Sequence, residues 1–133
     1  MRLRARGFLL VWVIALLGAA CGSAGVEADN GISSHDPALV QTGSEAYGVY
    51  CAACHGPDLM GTNQGPSFLS AVYEPGHHAD IAFLLAAQRG VSSHHWRFGD
   101  MPAVEGVTSE DIEAIVAFVR ETQRVEGFEP YPP

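Results

Sequence analysis

This sequence predicts an all-α domain of three main helices, on three observations. Apolar residues recur at spacings of three and four in three separate segments. No stretch offers a convincing pair of strands. Between the first segment and the others, Gly56, Pro57, Gly61, Gly65 and Pro66 break any regular structure. The chain has 133 residues, 47% of them hydrophobic and 17% charged. That composition bounds it to one small domain, whose core is marginal without a staple or a cofactor.

The first helix is read over about Gly43 to Cys54, where Ala46, Tyr47 and Tyr50 share one stripe. After His55 the breakers impose a loop, with a short helical piece around Ser67 to Tyr73. The second helix is expected from about His78 to Arg89, burying Ile81, Leu84, Leu85 and Gln88 and stopping at Gly90. The third runs from Thr108 to about Arg124. There Thr108 and Asp111 are placed to cap each other, Glu110 and Asp111 suit the helix dipole, and Ile112, Ile115, Val116 and Val119 form the apolar stripe.

The ends read differently. Three arginines precede an apolar run from Phe8 to Leu17, then small residues lead to Cys21, which is the layout of a secretory signal over residues 1–20. The uncharged stretch is short for a membrane span. The ending LLGAAC resembles a bacterial lipoprotein signal, which implies lipid on Cys21 and a chain anchored to the outer face of the cytoplasmic membrane. Residues 21–37 are small and polar and read as a flexible tether, 38–125 as the domain, and 126–133 as a proline-rich tail.

Losing Arg2, Arg4 and Arg6 with the leader takes the formal charge from −8 to −11. Four arginines and no lysine then stand against fifteen carboxylates. Such a surface has no footprint for nucleic acid and steers toward a basic partner patch.

The chemistry concentrates in Cys51-Ala-Ala-Cys54-His55. A C-x-x-C pair can be a disulfide, a redox pair, half a zinc site or a haem attachment point. Zinc would require two further ligands, from His77 and His78 or from His94 and His95. A thioredoxin-like pair lacks its parallel-sheet context here. The histidine that follows fits haem: two thiols join two vinyl groups on one haem edge while the adjacent imidazole reaches the iron. The second axial position then needs a ligand from elsewhere. Met60 follows too closely in sequence, whereas Met101 sits in the breaker-rich FGDMPAVEGV before the last helix.

The segments GSEAYGVYCAACHG, GPSF, GDMPA and TSEDIEAIVAFVR, in that order, resemble the class I cytochromes c, small monohaem electron carriers. The resemblance covers nearly all of 43–124. It implies the cytochrome c fold around one covalent haem, His55 and Met101 as axial ligands, and the Pro66 carbonyl on the other nitrogen of the proximal imidazole. It also implies that the first and last helices cross near Gly43, with Tyr47 and Phe118 beside the crossing. Trp96 and Arg97 are candidates to hold a haem propionate. His94 and His95 are rivals to Met101 for the iron, and the four paired histidines suit a surface metal such as copper or stand as solvated loop residues.

The function expected on these grounds is that of a monomeric one-electron shuttle rather than an enzyme. It would be membrane-tethered and would pass electrons from a quinol-oxidising complex or dehydrogenase toward an oxidase or reductase. The alternatives are a fixed haem subunit of a larger oxidoreductase, and a sensor or peroxidase-like protein whose iron loses its methionine.

Overall fold

The computed structural model describes residues 35–127. The signal segment, Cys21, nearly all of the tether and most of the proline-rich tail lie outside them. Four helices in chain order are α1, Pro37–Tyr50; α2, Ala52–His55; α3, Asp80–Arg89; and α4, Ser109–Val125. A single 3₁₀ turn, Ala71–Tyr73, lies between α2 and α3. Among the described residues the only β pairing is one isolated bridge, Val91 with Met101.

The first helix begins six residues earlier than periodicity predicts. Its start is chemical: Pro37 occupies the first turn, where its missing N–H costs nothing, and the Asp36 carboxylate accepts from the Ala38 amide at 2.9 Å. It also stops earlier, because the chain kinks at Cys51 (φ −122°) before the one-turn α2, which Gly56 ends at φ +80°. The second predicted helix starts two residues later, at Asp80. The last agrees with expectation: Thr108 Oγ1 accepts from the Asp111 amide, and the Asp111 carboxylate accepts from the Thr108 amide, a complete capping box.

The stripe on α4 is buried as predicted, at Ile112, Ile115, Val116 and Val119. The stripe on α3 is not. None of its residues is fully buried, and Ile81 is 57% exposed. The face is a different one: Ala82, Phe83, Leu85, Ala86 and Ala87 line a cavity, whereas Ile81 and Leu84 line a shallower groove with Leu39, Ile112 and Val116, and Gln88 donates to Ser109.

Helix α1 packs on α4 at a crossing set by Gly43. A Cβ there would lie 1.9 Å from the Ala114 carbonyl oxygen, inside any allowed contact. Tyr47, one turn on, is 1% exposed; its ring lies 5.4 Å from that of Phe118, and its hydroxyl donates to the Gly56 carbonyl at 2.6 Å. Around it gather Leu59, Phe68, Ile115 and Val119. Leu59 enters this core at φ +60°, a left-handed backbone that costs about 1 kcal/mol for a residue with a Cβ. Its nearly complete burial offsets that cost.

Two glycines of α1 give a controlled comparison. Gly43→Ala is expected to destabilise the protein by at least ~1–3 kcal/mol, because the helix backbones must part. At Gly48 a Cβ meets nothing within 4 Å, so Gly48→Ala is expected to stabilise by roughly 0.5–1 kcal/mol through helix propensity. Urea unfolding of the two variants beside the parent measures both signs.

Candidate haem site

The cavity beside α3 has a volume of about 620 Å³. That is within the usual range for a small-molecule or cofactor site. Its wall is mostly apolar and brings together Cys51, Cys54, His55, Pro66, Trp96 and Met101 from four separate parts of the chain.

On the first side, the kink at Cys51 and the single turn of α2 set Cys51, Cys54 and His55 on the cavity wall. Both cysteines are free thiols. Burial, with a smaller contribution from Cys54, pushes the Cys51 thiol up to about 11, so it stays protonated at neutral pH. His55 is 7% exposed, and its Nδ1–H donates to the Pro66 carbonyl at 2.9 Å. Desolvation holds its pKa below the ordinary histidine range, with the Pro66 bond opposing. The imidazole is therefore neutral with its tautomer fixed, and Nε2 keeps a lone pair for a metal. Phe68 stacks on the ring at 4.2 Å and 16°, which fixes its plane.

Gly65 makes the approach of Pro66 possible. A Cβ on it would lie 2.9 Å from the Cys54 carbonyl oxygen and 3.2 Å from His55 Cε1. At Gly61, whose φ is +81°, a Cβ would lie 2.6 Å from the Ser67 amide nitrogen. These glycines bring the loop close to its own backbone and to the imidazole, whereas the sequence alone shows them only as breakers.

On the other side, Met101 is held by its backbone. The Val91 amide donates to the Met101 carbonyl and the Met101 amide to the Val91 carbonyl, each at 2.9 Å. Gly90, the C-cap of α3 at φ +75°, lies beneath this bridge, where a Cβ would come within 2.6 Å of the Met101 carbonyl oxygen. Met60, by contrast, is 62% exposed and is not on the wall.

Of the two propionate candidates, Trp96 lines the cavity and stacks on Tyr73 at 5.5 Å and 11°. Arg97, the other candidate, is exposed and is not among the residues of the wall. The cation on the wall is Arg89, at the end of α3, which sequence reasoning passed over.

A second residue it missed is Arg120. In α4 it reads as a helical surface arginine, yet it is 1% exposed. Its Nε donates to Asp80, its Nη1 to the Tyr73 carbonyl and to Gln123, and its Nη2 to the His78 carbonyl, at 2.5–2.8 Å. Gln123 in turn donates to the Phe68 carbonyl at 2.7 Å. The two side chains fix the segment 68–80, which carries one wall of the cavity. The signal for this was spacing: Arg120 and Gln123 continue the stripe of Ile112, Ile115, Val116 and Val119 along the buried face of α4.

The donor set fits a covalently bound haem: two free thiols and a neutral, oriented imidazole on one wall, a thioether on a pinned loop, and apolar lining between. Comparison agrees. A family model described as Cytochrome c matches residues 40–123. No curated protein and no solved structure matches the chain.

Arg120→Ala removes the donor to the His78 carbonyl and orphans Gln123 Oε1. It is expected to cost roughly 3 kcal/mol or more in urea unfolding of the haem-loaded protein. Arg120→Lys should recover less than half, because one ammonium cannot reproduce a planar fork of donors. Glu121→Ala, which loses the i, i+3 pair with Arg124 and the hydrogen bond from the His35 amide, should cost less than Arg120→Ala, on the order of 1 kcal/mol.

Proposed function

This chain belongs to the cytochrome c family, and from that premise we propose that it is a membrane-tethered carrier of single electrons on the outer side of a bacterial cytoplasmic membrane. The family carries a covalent c-type haem and serves electron transfer. In our reading Cys51 and Cys54 would hold the haem by its edge, His55 and Met101 would ligate the iron, and Pro66 orients the imidazole of His55. Trp96 and Arg89, both on the cavity wall, would offer donors to a propionate. A haem so held supplies reversible one-electron exchange at its iron.

The observation that carries this reading is the backbone bridge under Met101. A thioether is a weak iron ligand, and it must be presented in place rather than found by a mobile loop. The Val91 bridge and the bare Cα of Gly90 do this. Two protein ligands leave no open position for a substrate, so the chain's own work reduces to setting the potential and excluding water. The apolar wall disfavours the extra charge of the ferric state, and methionine raises the potential relative to a second imidazole.

Tether, acidic surface and proposed lipid on Cys21 belong together. No described helix is long and apolar enough to cross a membrane. A lipid with a flexible tether would keep the domain close to membrane partners while leaving it free to rotate, raising its effective concentration there. The carrier is read as a monomer whose partners present basic residues around their own redox centres. A fixed haem subunit of a larger oxidoreductase would use the same site.

One observation favours a second reading, in which the iron opens to a small ligand or peroxide: His78, His94 and His95 also line the cavity and would supply acid–base groups there. Absorption spectra of the haem-loaded protein beside Met101→Ala separate the two. The carrier reading expects a weak red iron–sulfur band in the parent, lost in the variant. It also expects a midpoint potential lower by on the order of 0.1–0.3 V, a part of the roughly 0.8 V that axial ligands span. An unchanged spectrum sinks methionine ligation, and carbon monoxide binding by the untouched ferrous parent favours the second reading.

Docking supplies a separate check. Electron exchange with a basic redox partner should slow as ionic strength rises from about 0.01 to 0.15 M, where the Debye length falls from about 30 to 8 Å. Stopped-flow rates that stay flat or rise with salt would count against an acidic docking face.

A further inference from the structure

Two histidine pairs far apart in sequence meet in space. His77 and His78 sit on a turn whose two amides both donate to the Glu74 carbonyl at 2.9 Å. His94 and His95 sit in the loop after α3, which is closed on itself by the Ser93 amide donating to Asp100 at 2.8 Å. Across the gap, His77 Nε2 and His95 Nε2 are 3.3 Å apart, and one ligand nitrogen from each of His77, His78 and His95 lies within 4.8 Å of the others. In this arrangement the His77–His95 contact is a nitrogen–nitrogen hydrogen bond, and the rings of all four histidines pack on one another, so the convergence holds only while the imidazoles are not all charged.

We propose that His77, His78 and His95 form a binding site for a divalent transition-metal ion that prefers imidazole and tetrahedral geometry, for which Zn²⁺ is the natural probe. The fit is metric. Tetrahedral zinc with Zn–N bonds of about 2.05 Å sets its ligand nitrogens about 3.3 Å apart. The His77 to His95 separation already has that value, and drawing in the third nitrogen requires only a rotation of side chains, two of which are exposed.

The surroundings fit as well. His78 Nδ1–H donates to the Val72 carbonyl at 2.6 Å, which fixes the tautomer and leaves Nε2 as the nitrogen with a lone pair. A backbone carbonyl behind a ligating imidazole is the usual outer partner in zinc sites, orienting the ring and raising its basicity. The carbonyl of His78 itself is held by Arg120, so the turn that carries the pair is anchored to α4. His94, whose ring lies 4.4 Å from that of His95 and whose Nδ1 donates to the Ser92 carbonyl, stands beside the fourth position, which it or water would fill.

Such an ion would join the loops on either side of α3, and His78, His94 and His95 all line the haem cavity. It would therefore clasp the cavity mouth and add positive charge near the iron. That last consequence, unlike the binding, rests on the carrier reading.

The test uses the full haem-loaded chain, freed of metal and titrated with Zn²⁺ against a chromophoric chelator. One equivalent should bind at micromolar or lower Kd, and His77→Ala and His95→Ala should each weaken it at least tenfold. His35→Ala should leave it unchanged. X-ray absorption at the zinc edge should report three or four nitrogen or oxygen neighbours at about 2.0–2.1 Å. Binding weaker than about 100 µM, or binding that survives both substitutions, would overturn the site. So would a haem spectrum altered by His95→Ala in a protein that takes up no zinc, since that places His95 on the iron instead. If binding holds while the midpoint potential of the parent does not move with zinc, the site stands and its coupling to the carrier falls.

Discussion

Everything in this molecule is referred to the contact between α1 and α4 at Gly43. With no Cβ there, the two backbones approach to a distance that no other residue permits, and the terminal helices become one platform. From one side of it Tyr47 reaches out to the Gly56 carbonyl and so fixes the end of α2, which carries His55. From the other side Arg120 and Gln123 reach the carbonyls of Phe68, Tyr73 and His78. One close approach between helices thus positions both the attachment turn and the facing wall, although neither belongs to the crossing itself.

The loops between the platform helices are held by polar fasteners rather than by an apolar core of their own. That follows from the cavity. The space where their apolar side chains converge is taken up by about 620 Å³ that protein atoms do not fill. Residues such as Leu85 and Phe98 remain exposed around it. For a domain this small, covering those residues is a large share of the burial available, so cofactor and fold stabilise each other. Carbonyl-to-guanidinium and carbonyl-to-amide bonds hold the loops in register. Such bonds are directional and do not need a filled interior.

How much of this could be read in advance depended on whether the signal was local. The Thr108 capping box and the apolar stripe of α4 are written in short segments, and the structure places them as read; the Cys51, Cys54 and His55 motif is equally local, whereas the crossing at Gly43 followed from the family resemblance and not from the segment itself. The start of α1 was also local, in Asp36 and Pro37, but its capping chemistry was masked by a polar segment that reads as tether. The α3 stripe misled because the helix is apolar on more than one side, and periodicity did not say that Ala82, Phe83, Ala86 and Ala87, rather than Ile81 and Leu84, face the cavity. Arg120 and Arg89 could not be assigned from type alone. A buried arginine is recognisable only once the carbonyls it serves are brought to it, and these come from residues some forty positions away. The convergence of the histidine pairs was illegible for the same reason.

Helix α3 links the least local of these features. Its first residue, Asp80, accepts from Arg120, and the turn just before it carries His77 and His78. Its last turn delivers Arg89 to the cavity, Gly90 to the underside of Met101, and the chain to His94 and His95. The two ends of one ten-residue helix therefore control the loop that presents the thioether and the loops whose imidazoles meet. The Val91 bridge fixes Met101 relative to the C-terminal end, while Arg120 fixes the N-terminal end to α4. A displacement of α3 would move both loops together, whereas a clasp between the histidine pairs would oppose it from outside. The rigidity that the proposed iron ligand Met101 would require thus comes from hydrogen bonds at the two ends of α3.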